Sequence, residues 1–172
     1  MAGNLPAGAD KRESTAVYVG NLRQAADRAA LYGITLLIEP LNKRDNPGYF
    51  LNTTAEAMAI LSEVGRDNLK LQLDLYHCQI TEGDLAMHIR NLAGSYACAD
   101  AGVPDRHEPD QGEVNYTYLL GLLDELGYAG WVGSEYRPIA ETRGSRLGAA
   151  LGRAYAVKIA RLLRPATEAE KG

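Results

Sequence analysis

Short apolar runs alternate with longer segments of helical spacing along this chain of 172 residues, and this alternation limits the possible folds most strongly. The spacing predicts helices over residues 14–32, 53–64, 82–93, 115–126 and 145–163, and strands over residues 34–39, 69–75, 96–101 and 131–136. A helix between successive strands favours an α/β fold with a parallel sheet covered by helices. Four strands suit a small doubly wound sheet or half of a (β/α)8 barrel, since a whole barrel needs about 250 residues.

Local signals mark several of these boundaries. Thr53 and Glu56 have the spacing of a capping box, in which each residue hydrogen-bonds the backbone of the other at the start of a helix. Gly33, Gly65 and Gly127 follow three of the helical segments and predict their ends. Residues 96–101 (YACADA) are weak strand formers, although a strand is due there.

Acidic residues stand near the carboxyl ends of three predicted strands: Glu39, Asp74 and Glu135. The carboxyl ends of parallel strands meet at one edge of a sheet, where active sites of α/β proteins lie. Carboxylates grouped there repel one another unless a cation neutralises them. The pattern predicts a site for Mg²⁺ or Mn²⁺, which prefer oxygen ligands. The alternative is that these acids cap loops or pair with arginine.

His77 and His88 have different expected roles relative to this site. His77 follows Asp74 by three residues, in a predicted loop, and is placed to orient a substrate oxygen or relay a proton. The alternative for His77 is a hydrogen bond to the backbone. His88 falls on a predicted helix, where we expect it to be solvated.

The loop over residues 102–114 and the end of the last strand supply further candidates. Arg106 and Arg137 flank the expected mouth of the site, where a guanidinium can bind a carboxylate as a fork. Glu108 lies in the same charged loop and is also a candidate for substrate binding. For either arginine, the alternative is a surface ion pair.

Composition restricts the other classes of function. A net charge of -4 argues against a nucleic-acid partner. No apolar run approaches the 18 or so residues of a membrane span, and the first residues do not form a targeting segment, so we expect a cytoplasmic protein. Cys78 and Cys98 do not form a Cys-x-x-Cys motif, so a zinc knuckle or redox motif is not expected. Two free thiols are expected, with a disulfide as the alternative.

Four stretches identify a known family. EPLNKRDNPGYFLNT (39–53), NLKLQLDLYHCQ (68–79), GVPDRHEPDQGEVNY (102–116) and LDELGYAGWVGSEYRP (123–138) closely resemble hydroxypyruvate isomerases, which belong to the xylose-isomerase-like TIM barrels. The resemblance runs from about residue 3 to about residue 150. It implies that residues 1–172 form one domain, the C-terminal half of such a barrel, with about its last four β/α units and a preceding helix.

The resemblance also implies a reaction, in glyoxylate and carbohydrate metabolism. The family interconverts hydroxypyruvate and 2-hydroxy-3-oxopropanoate, and a related group isomerises 2-oxotetronates. The residues that match Glu39 and Glu135 act there as proton donor and acceptor and, with the match of Asp74, bind the divalent metal. His77, Arg106, Glu108 and Arg137 are then expected to contact the hydroxy-keto acid substrate.

The chain departs from the family in two ways. The first half of the barrel has no counterpart, so we expect open sheet edges, self-association through them and weak or no activity. The family's Gly-His-Val-Gln-Ile-Ala strand, whose Gln is a metal ligand, is replaced by residues 94–101, where Ala99 takes the Gln position and Asp100 is its neighbour. A local frameshift is our hypothesis for this change.

Three other functions remain open. The first is a non-catalytic remnant, or a subunit that completes a barrel with another chain. The second is a nuclease resembling endonuclease IV, which three histidines and an acidic chain disfavour. The third is a sugar-acid dehydratase of the same superfamily.

Overall fold

The computed structural model describes residues 2–101, 107 and 112–135, and for residues 97–101 it describes the backbone alone. Helices and strands alternate along this part of the chain. In order, they are α1 (Lys11–Ala30), β1 (Leu36–Ile38), α2 (Thr54–Val64), β2 (Leu69–Asp74), α3 (Leu75–Thr81), α4 (Leu85–Asn91), β3 (Tyr96–Ala101), α5 (Tyr116–Glu125) and β4 (Trp131–Ser134).

The four strands form one sheet in the order β1-β2-β3-β4, and every neighbouring pair is parallel. The predicted α/β class and parallel sheet are therefore confirmed. All four strands end at the same edge of the sheet. Glu39 follows β1 directly, Asp74 is the last residue of β2, and Glu135 follows β4 directly.

The helix starts are explained by local hydrogen bonds. At α2, the Thr53 side chain accepts from the Glu56 N–H and the Glu56 carboxylate accepts from the Thr53 N–H, so the predicted capping box is confirmed. Gly65 ends α2 with a φ of 62°, a left-handed conformation that glycine adopts without strain. Helix α1 begins earlier than predicted because the Asp10 side chain accepts from the Glu13 N–H.

Other predicted boundaries were also wrong. Residues 75–81 form α3, where we predicted the last residue of a strand and then a loop, so His77 lies in a helix. The Asp74 side chain caps this helix by accepting from the N–H groups of Tyr76 and His77. Strand β1 and helix α4 are shorter than the predicted segments 34–39 and 82–93.

The core lies between the sheet and its helices, and β2 is at its centre. Leu71 is fully buried in β2. The two edge strands differ, since Ile38 of β1 is buried whereas Trp131 of β4 is 61% exposed. The largest apolar side chains that are fully buried are Val19, Leu51, Val64, Leu71, Leu73, Leu75, Ile89, Leu120, Leu122 and Leu123.

An irregularity between β2 and β3 alters their register. Leu71 pairs with Tyr96 but Gln72 pairs with Cys98, so one residue of β3 is skipped. Asp74 consequently lies in register with Asp100, whereas Ala99, the position aligned with the family's Gln, pairs with Leu73. Position 100 is therefore the one that adjoins Asp74 in the sheet.

Some predictions fall outside the described residues. These are the last helix over 145–163, residue 136 of the last strand and most of the loop over 102–114. Within the described part of the chain, no helix has the length and apolarity needed to cross a membrane.

Candidate active site

The ends of β1 and β2 bring three predicted site residues together. Glu39, Asp74 and His77 each offer a ligand atom, and these atoms lie within 4.8 Å of one another. The Gln72 side chain on β2 donates to the Glu39 carboxylate at 3.2 Å and holds it toward the neighbouring strand. This group occupies the sheet edge at which the sequence predicts the site.

Hydrogen bonds orient the Asp74 carboxylate, which is only 3% exposed. Its Oδ1 accepts from the N–H of Tyr76 at 2.7 Å and from the N–H of His77 at 3.3 Å. Its Oδ2 lies 3.7 Å from Nε2 of His77. A buried carboxylate is costly unless it is hydrogen-bonded, and the start of α3 meets that requirement.

The His77 ring is fixed from the opposite side by Asn42. The ring is 7% exposed, and its Nδ1 accepts from the backbone N–H of Asn42 at 3.1 Å, with the side-chain nitrogen of Asn42 at 2.7 Å. Because Nδ1 accepts this hydrogen bond, the neutral ring carries its proton on Nε2, which faces Asp74. His77 is thus arranged as a hydrogen-bond donor to a carboxylate or a substrate oxygen.

An outer layer of polar contacts ties the loop after β1 to α3. The Tyr76 hydroxyl donates to the Asp45 carboxylate, and the Asn42 side chain accepts from the Asp45 N–H at 2.9 Å. The hydrogen bond from Tyr76 holds the pKa of Asp45 below its usual value. Burial, together with Asp45, raises the pKa of Tyr76, so its hydroxyl stays a donor. Sequence reasoning missed this layer because the contact that joins its two segments, from Tyr76 to Asp45, links residues more than 30 positions apart and leaves no local signal.

A narrow cleft, with room for about one water molecule, lies beside the three residues. Its other wall includes Cys78 and Glu82, which form a second group with His88; their ligand atoms also lie within 4.8 Å of one another. His88 lies on α4 as predicted, but it is half-buried against the Thr54 hydroxyl rather than solvated. The cleft is lined by Pro40, Asn52, Thr54, Gln72, Leu73, Asp74, His77, Cys78 and Glu82.

The remaining predicted site residues are not brought to this group. Glu135 is exposed at the end of β4 and, among the described residues, belongs to neither group of ligand atoms. Arg106, Glu108 and Arg137 lie outside the described residues. Their roles stay predictions.

The donor chemistry at the ends of β1 and β2 fits a hard divalent cation. Glu39 and Asp74 supply carboxylate oxygens, which Mg²⁺ and Mn²⁺ prefer over softer ligands. Such a cation also removes the repulsion between the two carboxylates. These two residues are the ones that would hold it.

Comparisons with known proteins show the family to which the chain belongs. Residues 1–155 match the family model described as xylose isomerase-like TIM barrel. The chain is 57% identical over 143 residues to the 2-oxo-tetronate isomerase of Cupriavidus necator, covering 83% of this chain and 55% of that protein. It is 41% identical over 145 residues to the hydroxypyruvate isomerase of Escherichia coli, with the same two coverages. The resemblance inferred from the four stretches is confirmed.

A solved structure matches the fold closely. The AP endonuclease, family 2, of Brucella melitensis has a TM-score of 0.78 and 42% identity, covering 87% of this chain and 56% of that one. The chain thus spans about half the length of the curated relatives and of the solved structure that it matches.

Proposed function

Because the chain belongs to the xylose isomerase-like TIM barrel family, we propose that it carries the acidic site of an aldose-ketose type isomerase that acts on a hydroxy-keto acid. One observation supports this most directly. Glu39 and Asp74 converge at the carboxyl ends of adjacent parallel strands, with His77 fixed beside them.

The relatives direct the choice of substrate. A 2-oxotetronate is the first candidate, since the relative with 57% identity is named for that substrate. Hydroxypyruvate, in exchange with 2-hydroxy-3-oxopropanoate, is the second candidate, since another relative is named for it. Both are small acids with a carbonyl next to a hydroxyl-bearing carbon, so one site chemistry serves both.

The reaction needs a proton to leave one carbon and return to its neighbour. In our proposal Glu39 and Glu135 act as this proton acceptor and donor, and His77 donates a hydrogen bond to a substrate oxygen. Glu39 and Asp74 would hold the divalent cation, Mg²⁺ or Mn²⁺, and Glu135 would join them as a ligand only once the barrel is closed. When bound, the cation polarises the carbonyl and the neighbouring hydroxyl.

The position of Glu135 makes barrel closure a requirement of this proposal. Glu39 and Glu135 follow the two edge strands, β1 and β4. Three strand spacings of about 4.8 Å separate such positions by roughly 14 Å in a flat sheet, and only curvature brings them closer. We therefore propose that residues 1–172 form the C-terminal half of the barrel, whose activity depends on strands that complete it.

Strands from a second copy of this chain are one way to complete the sheet. Leu31, Tyr32, Ile34 and Leu37 are large apolar residues exposed around β1, and Trp131 is exposed on β4. Exposed edges of this kind pair with other chains. We expect sedimentation analysis to find concentration-dependent self-association that Leu37→Lys weakens; a monomer at every concentration would argue against this part of the proposal.

Isotope exchange tests the proposed chemistry with high sensitivity. The chain is incubated in deuterated water with Mn²⁺ and either a 2-oxotetronate or hydroxypyruvate. Exchange of hydrogen for deuterium at the carbon next to the carbonyl is followed by NMR. Glu39→Gln should slow exchange by about 10²-fold or more, the usual contribution of a general base. Glu63→Gln, an exposed acid on α2, is the matched control and should exchange like the parent chain. Measurable exchange that is equally fast in Glu39→Gln and in the parent chain would refute the proposal.

A further inference from the structure

A second group of metal-ligating side chains lies on α3, on α4 and between them. Cys78 is a free thiol on α3, Glu82 follows that helix, and His88 is on α4. One ligand atom from each lies within 4.8 Å of the other two. Cys78 is 4% exposed, and Glu82 and His88 are half-buried. The proposed isomerase chemistry uses none of the three.

The Thr54 residue at the start of α2 holds two of them in place. The Glu82 carboxylate accepts from the Thr54 N–H at 2.9 Å and from the Thr54 hydroxyl at 3.0 Å. His88 Nδ1 lies 3.2 Å from the same hydroxyl oxygen. The hydroxyl has one proton, which Glu82 accepts, so Nδ1 of His88 is the donor in the second contact. The neutral ring then presents its lone pair on Nε2, the form in which histidine binds a metal.

We propose that Cys78, Glu82 and His88 bind a divalent cation of borderline softness, of which Zn²⁺ is the natural example. Thiolate, imidazole and carboxylate are the three ligand types that Zn²⁺ takes in proteins. Tetrahedral bonds of about 2.0–2.3 Å place ligand atoms about 3.5 Å apart. This spacing is shorter than the 4.8 Å within which the three groups lie, so the side chains would draw together around the ion. Three protein ligands leave a fourth position for water.

This site differs in chemistry from the one at the ends of β1 and β2. Glu39 and Asp74 offer only oxygen, which favours Mg²⁺ or Mn²⁺, whereas sulfur at Cys78 favours Zn²⁺ or Co²⁺. The ion would join α3 and α4 to each other and, through Thr54, to the start of α2. Its expected effect is therefore on stability, and the inference does not depend on the proposed isomerase activity.

Cobalt binding tests the inference by spectroscopy. Co²⁺ is added to the reduced full chain, and the thiolate-to-cobalt charge-transfer band is followed in the near ultraviolet. We expect the band in the parent chain, in Cys98→Ser and in Asp74→Asn, and its loss in Cys78→Ser. Absence of the band in the parent chain, or its persistence in Cys78→Ser, would overturn the inference.

A second variant keeps the test decisive if the buried substitution at Cys78 prevents folding, which circular dichroism would detect. His88→Gln alters a half-buried side chain and should weaken Co²⁺ binding at least about tenfold, while His107→Gln, the matched control, should not change it. Zn²⁺ at about 100 times its dissociation constant should raise the melting temperature of the parent chain by about 5–10 °C and leave that of His88→Gln almost unchanged. An equal rise in both chains would also overturn the inference.

Discussion

The two sides of the sheet differ in how well they bury and orient the acids that follow their strands. We call the side with β1 and β2 the β1-β2 end, and the side with β4 the β4 end. At the β1-β2 end, Ile38, Leu71 and Leu73 are buried, and Asp74 and His77 are buried with fixed hydrogen-bond partners. At the β4 end, Trp131 is largely exposed and Glu135 is exposed. The comparison shows that the chain buries and orients one acid at a strand end, Asp74, and leaves another, Glu135, exposed.

The sequences of the strands account for the difference. Strand β2 reads LKLQLD, and its three leucines all point into the core between the sheet and α2. Strand β4 reads WVGS, with a glycine that offers no side chain for packing and a tryptophan on the exposed side. Hydrophobic burial therefore stabilises the β1-β2 end more strongly.

Removing core volume from β2 should have the largest effect on stability. Leu71 is fully buried, so Leu71→Ala should lower the free energy of unfolding by about 2–5 kcal/mol through lost burial and a cavity. Leu126→Ala makes the same chemical change at an exposed position after α5 and should cost less than about 1 kcal/mol. Urea unfolding measures both, and similar losses would break the proposed contrast between core and periphery.

Helix caps extend the comparison to α2, which leads into β2, and α5, which leads into β4. Thr53→Ala removes half of a reciprocal capping box at α2 and should cost about 1–2 kcal/mol. The Glu56 N–H loses its acceptor, and the Glu56 carboxylate is held less firmly against the Thr53 N–H. Asn115→Ala removes a single hydrogen bond to the Tyr118 N–H at α5 and should cost about 0.5–1 kcal/mol. The order of the two melting temperatures measures the difference; a larger loss for Asn115→Ala would contradict it.

The same capping box should give a small dependence of stability on pH. Burial alone would raise the pKa of Glu56, but hydrogen bonds from Lys11 and from the N–H groups of Asn52 and Thr53 lower it below its ordinary value of 4.5. A folded pKa below the unfolded one adds stability above pH 4.5, and this stability is lost as the pH falls through the folded pKa. Because Glu56 is partly exposed, the effect should be under about 1 kcal/mol.

Urea unfolding of Glu56→Gln across the acid range checks that prediction. Glutamine keeps a hydrogen-bond acceptor at this position but does not titrate, so its stability should fall less steeply below pH 4.5 than that of the parent chain. Parallel pH curves for the two chains would show that Glu56 contributes nothing to the dependence.

Much of the fold was predictable because its signals are local. The alternation of apolar runs gave the parallel sheet, and Thr53 with Glu56 gave the start of α2. Helix α3 was missed because it follows β2 without a linker and is capped by Asp74, the same residue that the sequence marks as a ligand. The sequence pattern indicated Asp74 as a candidate ligand but did not indicate that it caps a helix.

The candidate site was predictable only in part. The convergence of Glu39 and Asp74 follows from parallel strands, which the sequence indicates. The bond from Asn42 to His77 and the contacts of Thr54 with Glu82 and His88 depend on packing between distant segments. The skipped residue that brings Asp100 into register with Asp74 also depends on strand pairing, which the sequence alone does not indicate.

Manganese binding tests the central claim most directly, namely that the β1-β2 end alone defines a cation site in this chain. Titration calorimetry of the parent chain, Asp74→Asn and Glu135→Gln measures it. Asparagine keeps the cap of α3, so Asp74→Asn should fold normally and weaken Mn²⁺ binding at least about tenfold through loss of a ligand charge. Glu135→Gln should change binding by less than about threefold, because that acid lies outside the group. Unchanged binding in Asp74→Asn, or an equal loss in Glu135→Gln, would contradict the account.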